Sequence, residues 1–206
     1  MDTRLIHRLD RFVGTPVCAA LSAVERLRPH RGYREVMRPN KVLYIKLIEM
    51  GSTVLACPSF DAGEQLVGRD NVYLLCFERN RGIIDALPHV DPANVITIDD
   101  TSLASFSMGL LRAMVRVRQE GIDAAIDMEG LPRASAIITY LTGARQRVGY
   151  HNYTSEGPYR GRLFTHELGY TFQRHVSEMF LSLTRALSAP RDQQPMLKER
   201  IPSESM

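Results

Sequence analysis

The sequence predicts an α/β fold, in which a Rossmann-like parallel sheet carries helices on both faces and follows an amphipathic helical arm. Short apolar runs alternate with longer stretches of helical periodicity. The runs are apolar throughout, which is typical of parallel strands buried on both faces. A chain of 206 residues that is 44% hydrophobic can bury one sizeable core. We divide it into the arm (1–40), the Rossmann-like domain (41–188) and a tail (189–206) that we expect to be a linker or disordered.

The arm has an apolar stripe at helical spacing, with a break near Gly14. Thr15 and Pro16 suit the first positions of a helix, so we expect two short helical pieces. The stripe consists of Leu5, Ile6, Leu9, Phe12, Val13, Val17, Leu21, Val24 and Leu27. We favour packing of this stripe against the body. The alternative is peripheral contact with the inner face of a membrane, where arginines of the arm meet anionic lipid.

Charge and cysteine content restrict the classes of partner and compartment. Residues 1–41 contain nine Lys or Arg against four Asp or Glu, whereas the remainder contains 17 against 19. A basic arm on a mildly acidic body favours contact with lipid or phosphate and argues against nucleic acid. Three widely spaced cysteines indicate neither disulfides nor zinc, so we expect the cytoplasm. No apolar run approaches the roughly 20 residues that cross a bilayer.

Strands and helices are expected to alternate along the body. The predicted strands are 42–48, 72–77, 95–98, 124–128 and 147–150. The predicted helices are 52–67, 83–87, 102–120, 132–141 and 172–187. Because ligands of such sheets bind beyond the carboxyl ends of the strands, attention falls on residues 49–53 and 129–133.

The turn after the first predicted strand suits an anionic group. Gly51 allows a tight turn where the strand gives way to a helix. Backbone N–H groups of Ser52, Thr53 and Val54 begin that helix, and Lys46 adds a positive charge nearby. The signal is weak by itself, because many α/β proteins have a glycine after the first strand.

The second candidate segment follows the strand at 124–128. Asp127 and Glu129 lie two residues apart, so both point to one side of an extended segment. Arg133 opposes the dipole of the next helix, and function is one reason to tolerate that. The alternative is a surface ion pair between Glu129 and Arg133. Further along the chain, Arg145 and Arg147 are expected to be solvated.

Four short motifs occur in order along the body. They are Lys46 with Met50, Gly51 and Cys57-Pro58; Ile126 to Gly130; Thr142 to Tyr150; and His175 to Leu187. In this order they resemble the N-terminal domain of the family nine glycosyltransferases, the group of the ADP-heptose:lipopolysaccharide heptosyltransferases. The resemblance covers roughly residues 41–188.

The resemblance implies the N-terminal half of a GT-B architecture, in which the C-terminal domain binds the nucleotide sugar. We therefore expect this domain to bind a glycan or lipid-linked acceptor for inverting transfer from a donor such as ADP-heptose. Lipopolysaccharide or other bacterial cell-surface glycan synthesis is the implied setting. The domain itself is expected to bind no cofactor, since the chain ends before the donor half. No metal is expected either, because nothing resembles an Asp-x-Asp sequence.

Under this hypothesis the acceptor-binding residues are Lys46, Met50, Gly51, Thr53, Asp127, Glu129 and Arg133. The better-known family members have an Asp directly after the glycine, where this chain has Ser52, and serine has no usable basicity near neutral pH. Glu49 is the tentative replacement base. The loop 151–166 is long, polar and aromatic and suits an acceptor-binding loop. His151, His166 and His175 lack metal-ligand spacing, so we interpret them as polar surface or acceptor contacts.

A hypothesis of a different class is a non-catalytic carbohydrate- or partner-binding Rossmann-like domain. Ser52 in place of the family's Asp and the missing donor half both allow it. A free-standing nucleotide-binding domain is a weaker third hypothesis, because the first turn lacks GxGxxG or GxxxxGK spacing.

Overall fold

The computed structural model describes residues 10–27, 38–48, 50–153, 159–170 and 173–189. In chain order the elements are α1 (Gly14–Leu27), β1 (Val42–Ile45), α2 (Met50–Val54), α3 (Cys57–Val67), β2 (Val72–Phe77), α4 (Arg81–Asp85), β3 (Val95–Ile98), α5 (Leu103–Gln119), β4 (Ala124–Asp127), α6 (Arg133–Leu141), β5 (Gln146–Tyr153), β6 (His166–Tyr170) and α7 (Val176–Ala186). Short 3-10 helices cover Arg69–Asn71, Glu78–Asn80 and Pro92–Asn94.

The strands form one six-stranded parallel sheet in the order β3-β2-β1-β4-β5-β6. This is the strand order of doubly wound dinucleotide-binding folds. Right-handed crossovers place α3 and α4 of the first half and α6 of the second half on opposite faces, because one half winds toward β3 and the other toward β6. After β6, α7 returns to the face of α3. The predicted fold class is confirmed.

The sheet is covered on both faces, since β1 is buried at every position and β2 at every position except its last. On one face, Tyr44 of β1 belongs to a core with Phe60 of α3 and Phe180 of α7. On the other face, Ile45 of β1 belongs to a core with Met114 of α5. Fully burying one such side chain contributes about 1.5–3 kcal/mol, so the strands are fixed mainly by these two cores.

Residues at the helix ends explain most of the boundaries. Ser102 begins α5 by accepting a hydrogen bond from the Ser105 N–H at 3.0 Å, and His175 begins α7. One helix was expected over residues 52–67, but the structure has two, α2 and α3. The second begins at Cys57 because Pro58, which lacks an N–H, suits the first turn of a new helix.

β6 is absent from the sequence prediction, and the polar loop expected over 151–166 is shorter in the structure, because residues 151–153 belong to β5 and His166 begins β6. β5 continues to Tyr153, and Arg160, Leu163 and Phe164 are buried before β6 begins. A Cβ atom at Gly149 would lie 2.4 Å from the Phe164 ring, so this glycine lets the ring pack onto β5. Residues 154–158 lie outside the described residues.

The arm packs against the body over residues 10–27. Gly14, Cys18 and Ser22 of α1 are buried. The Ser22 hydroxyl accepts a hydrogen bond from the Arg162 N–H at 2.8 Å. Residues 10–12 are helical and Val13 is in a turn, which agrees with the expected break near Gly14.

None of the described helices is long and apolar enough to cross a membrane. Residues 1–9 and 28–37 of the arm and residues 190–206 of the tail lie outside the described residues. The sequence interpretations of these segments therefore stay predictions.

Candidate functional site

The direction of winding reverses between β1 and β4. From β1 the chain continues to β2 on one side, whereas from β4 it continues to β5 on the other. The connections diverge at the carboxyl ends of β1 and β4 and form the crevice in which such sheets bind ligands. β1 and β4 are paired neighbours, so the structure brings together the two segments that the sequence analysis selected.

One carboxylate fixes the turn after β1, which we define as residues 46–48. Glu129 Oε1 accepts hydrogen bonds from the N–H groups of Leu47 and Ile48, both at 2.8 Å. Lys46 Nζ donates to the same oxygen at 3.0 Å and also to the Ile48 carbonyl. The Lys46 and Glu129 side chains are only 2% and 8% exposed. We call this arrangement the carboxyl-edge clamp.

A residue after β2 supports the same turn from the other side. The Asn80 side-chain amide donates to the Leu47 carbonyl at 2.7 Å, and Asn80 is buried. Both backbone polar groups of Leu47 are therefore bonded to neighbouring strand ends, one after β4 and one after β2. Asn80 is not predicted from the sequence, since no local pattern marks an amide that contacts a turn 33 residues away.

Asp127, the last residue of β4, belongs to a second buried ion pair. Its Oδ1 accepts from the Glu129 N–H at 2.9 Å, and its Oδ2 accepts from the Ser135 hydroxyl at 3.0 Å and from the Arg160 guanidinium. Arg160 also donates to the Tyr150 carbonyl at 2.9 Å. Burial raises the pKa of the Asp127 carboxyl to about 6, against the lowering effect of Arg160. Arg160 also donates to the Ser135 hydroxyl at 3.0 Å and so links β4, β5 and α6. Nothing in its local sequence predicts this role.

Arg133 is paired with the arm. Its guanidinium lies 3.1 Å from Asp10 Oδ2, and Asp10 Oδ1 accepts from the N–H groups of Arg133 and Ala134 at 2.8 and 3.0 Å. Asp10 therefore satisfies the first N–H groups of α6 and offsets the unfavourable cation there. The alternative pairing of Glu129 with Arg133 is wrong, because each has another partner.

The crevice is open at Gly51. Gly51 lies in α2 and does not have a positive φ, so the tight-turn explanation for this glycine is wrong. A Cβ atom there would have no described heavy atom within 4 Å. Ser52 is half-buried and the Thr53 side chain is buried. Glu49 and the side chain of Met50 lie outside the described residues, so their assigned roles stay predictions.

The two arginines that flank β5 differ. Arg145 is exposed, as expected. The expectation that Arg147 is solvated is wrong, because this side chain is buried and pairs with Glu25 of α1 at 2.7 Å. It also donates to the Leu163 carbonyl at 2.7 Å. Arg147 therefore fixes the arm to the body.

The described contacts of His151, His166 and His175 do not involve the residues of the crevice. His166 is buried and lies 2.8 Å from the Thr165 hydroxyl, and His175 caps α7. His151 Nδ1 lies 3.7 Å from Glu167 on the neighbouring strand. An acceptor contact for any of them stays a prediction.

Two further features lie outside the crevice. A cavity of about 480 Å³ lies at the amino edge of the sheet, lined by Asn40, Arg118, Gly121, Ile122, Asp123, Thr142, Gly143 and Arg145. Ligands of parallel sheets bind at the other edge, so we assign no function to it.

A group of possible cation ligands lies elsewhere, with the ligand atoms of Asp61, Glu64 and His89 within 4.8 Å of one another. This group offers two carboxylates and an imidazole to a cation, but it lies on α3 and the loop after α4, where His89 and Asp61 already bond at 2.7 Å.

Solved glycosyltransferase structures resemble this chain. A family 9 glycosyl transferase from Veillonella parvula is 14% identical with a TM-score of 0.58, covering 72% of this chain and 41% of that chain. E. coli heptosyltransferase WaaC with ADP is 20% identical with a TM-score of 0.55, covering 72% and 47%. The same enzyme with ADP-2-deoxy-2-fluoro heptose is 19% identical with a TM-score of 0.55, covering 77% and 50%.

The chain has the fold of these glycosyltransferases. It spans about half the length of the solved chains that it matches. No protein-family model and no curated protein matches the sequence. The predicted resemblance to family nine glycosyltransferases is thus confirmed at the level of the fold.

Proposed function

We propose that this domain is the acceptor-side half of an inverting glycosyltransferase of the heptosyltransferase type. It binds a lipid-linked or phosphorylated glycan, which receives a sugar from a nucleotide-sugar donor such as ADP-heptose. Lipopolysaccharide or other bacterial cell-surface glycan synthesis is the proposed setting. The observation that carries the proposal is the turn 46–48, clamped by Glu129 at the switch point of a sheet with the heptosyltransferase fold.

The acceptor lies, in this proposal, where the crevice is open at Gly51. Its hydroxyl must approach the anomeric carbon in line with the departing nucleotide diphosphate, so small displacements of the acceptor slow the reaction. A turn bonded to the ends of both neighbouring strands provides a fixed surface for that alignment. Lys46, Asp127 and Glu129 are buried with their charged groups already bonded, so we assign them to holding the turn and not to touching the glycan.

Glu49 is the proposed base that takes the proton of the acceptor hydroxyl. It is the only carboxylate between Lys46 and Asp61 in the sequence, and Ser52 lacks the basicity for this role. Changing Glu49 to Gln in a full-length active homologue should lower kcat about 10²- to 10⁴-fold, the usual contribution of a general base. Unchanged turnover would remove Glu49 from the mechanism.

The donor is proposed to bind outside this domain, which itself holds no cofactor. The WaaC structures contain ADP or an ADP-sugar analogue, and this chain spans about half of such a protein. The cytoplasm is the proposed compartment. Cys18, Cys57 and Cys76 are all free thiols, which suits reducing conditions.

Amide NMR of the intact chain tests acceptor binding. The probe is a phosphorylated oligosaccharide released by deacylation from heptose-deficient lipopolysaccharide, and ADP is the comparison ligand. The glycan should shift the amide signals of Leu47, Ile48 and Gly51 and leave that of Asp123, at the opposite edge of the sheet, in place. ADP should shift none of them.

Other outcomes decide between the alternatives. Shifts of these amides by ADP alone would indicate a nucleotide-binding domain. The absence of shifts with either ligand would favour a non-catalytic partner-binding domain, which Ser52 in place of the family's Asp also supports. Glycan binding combined with unchanged turnover after loss of Glu49 would favour a non-catalytic carbohydrate-binding role.

A further inference from the structure

α1 leaves several of its larger apolar residues exposed, although Leu21 packs inward against the core cluster that contains Cys18 and Phe164. Gly14, Cys18 and Ser22 are buried against the domain. Phe12, just before the helix, and Leu27, at its end, are 74% and 85% exposed. The exposed apolar positions Val13, Ala20, Val24 and Leu27 follow the spacing of one helix face. A helix of a soluble domain usually has the opposite arrangement.

The charges of the arm are sorted in the same way. Within residues 10–27 both carboxylates face the body, where Asp10 pairs with Arg133 at 3.1 Å and Glu25 pairs with Arg147 at 2.7 Å. The arginines of this stretch, Arg11 and Arg26, are exposed. The exposed surface of residues 10–27 therefore carries both apolar side chains and cations, while the two acids of this stretch are paired on the inner side.

We infer that this outward face binds the surface of an anionic lipid bilayer, with α1 lying in the plane of the interface. Interfacial helices combine an apolar face with basic residues, because neither feature alone binds strongly. The apolar face here is small, so the attraction of the arginines for anionic lipid must supply much of the affinity. A second copy of the chain is a poorer occupant, since pairing two such faces brings the same arginines together.

The rest of the arm adds to this attraction. Residues 1–40 carry eight Lys or Arg against four Asp or Glu, and two of those four acids are the inward-facing Asp10 and Glu25. Each basic residue near an anionic surface strengthens binding about five-fold. The inference goes beyond the proposed function, because it needs neither a glycan nor transferase activity.

Sedimentation of the intact chain with vesicles tests the inference. Vesicles of phosphatidylcholine mixed with phosphatidylglycerol should bind the chain, and vesicles of phosphatidylcholine alone should bind it weakly. The double variant V24D/L27D should lose at least about ten-fold in affinity, because it places two charges on the apolar face. The control V54D/V176D adds the same charge at exposed valines outside α1 and should bind like the intact chain. R11Q/R26Q should bind about 25-fold more weakly, five-fold for each arginine.

Three outcomes would overturn the inference. The first is equal binding by V24D/L27D and the intact chain, and the second is equal binding to neutral and anionic vesicles. The third is an intact chain that does not bind vesicles and that light scattering shows to be a dimer, while the V24D/L27D variant is a monomer. That result would assign the face to a second copy. Circular dichroism of each variant shows whether it is folded. Loss of glycan binding in the NMR titration would leave vesicle binding unaffected, so the two proposals fail separately.

Discussion

The paired strands β1 and β4 are linked at each end by the carboxylate of one residue, a different residue at each end. At the amino edge, Asp123 accepts from the Asn40 N–H at 3.0 Å and from the Lys41 N–H at 2.9 Å, which we call the amino-edge clamp. At the carboxyl edge, Glu129 accepts from the N–H groups of Leu47 and Ile48 at 2.8 Å. The same device thus spans the same strand pair twice.

The two clamps differ in burial and in charge. Asp123 is half-buried and its bonds with Asn40 are exposed, while the Lys41 ammonium is directed instead to Tyr73 and Glu120. Glu129 is buried and pairs with the buried Lys46. A carboxylate near water needs only hydrogen bonds, whereas a buried one needs a cation as well. The clamp that requires a buried ion pair is the one at the carboxyl edge, where the crevice lies. This difference indicates that holding the turn in one position is more important at that edge.

The largest effect is expected at the ion pair that supports the carboxyl-edge clamp. R160M leaves Asp127 buried without its cation, and Asp127 accepts the hydrogen bond of the Glu129 N–H. Removing one partner of a buried pair costs about 3–5 kcal/mol, and we expect the upper part of that range. Urea unfolding of R160M and the wild type measures the loss. A loss below about 1 kcal/mol, the range of exposed pairs, would show that the pair contributes little.

The next largest effect on stability is expected from a change in the carboxyl-edge clamp itself. E129Q keeps an oxygen that accepts from Leu47 and Ile48 but leaves the Lys46 charge buried without a counterion. We expect a loss of about 3 kcal/mol in the free energy of unfolding. The double variant K46M/E129Q removes both charges and should recover much of that loss. Equal losses in E129Q and in the double variant would contradict the assigned ion pair.

Asp127 should give the stability a dependence on pH. Its folded pKa of about 6 lies above the ordinary 3.8, so the folded chain takes up a proton at a pH where the unfolded chain has released it. The resulting stabilisation is fully present below pH 3.8 and is lost as the pH rises to about 6, a change of about 3 kcal/mol. D127N should lack this part of the slope, as measured by urea unfolding between those pH values, and D123N should keep it. Parallel slopes for D127N and the wild type would refute the assignment.

The smallest effect is expected at the amino-edge clamp. D123N replaces one acceptor of exposed, neutral donors, and water can take its place. The free energy of unfolding should fall by about 1 kcal/mol or less. A loss equal to that of E129Q would erase the difference between the two edges.

The sequence predicts five of the six strands in the described sheet. β2 and β3 have the predicted bounds, because apolar residues fill most of each run, whereas β1 and β4 end three residues and one residue before their predicted ends. β6 was missed because His166 and Glu167 are among its residues, so no apolar run marks it. The rule that ligands bind beyond the carboxyl ends of parallel strands selected both candidate segments, but the pairing of β1 with β4 that brings them together was not predicted.

Within the site, the sequence identifies residues but not their partners. Lys46 and Glu129 were both selected, yet their pairing depends on the register of β1 with β4, which local patterns do not reveal. Asn80 and Arg160 were missed for the same reason, since each contacts residues far along the chain. Arg147 was expected in water because nothing near it in sequence indicates Glu25 of α1 as its counterion.

The central claim is that the clamped turn at the carboxyl edge is the surface that binds the glycan. The most direct measurement is the affinity of E129Q and D123N for the deacylated, phosphorylated oligosaccharide, at a temperature where both variants are folded. We expect E129Q to bind at least about ten-fold more weakly, because the turn after β1 loses its fixed position, and D123N to bind like the wild type. Equal affinities of E129Q and the wild type, or an equal loss in D123N, would contradict it.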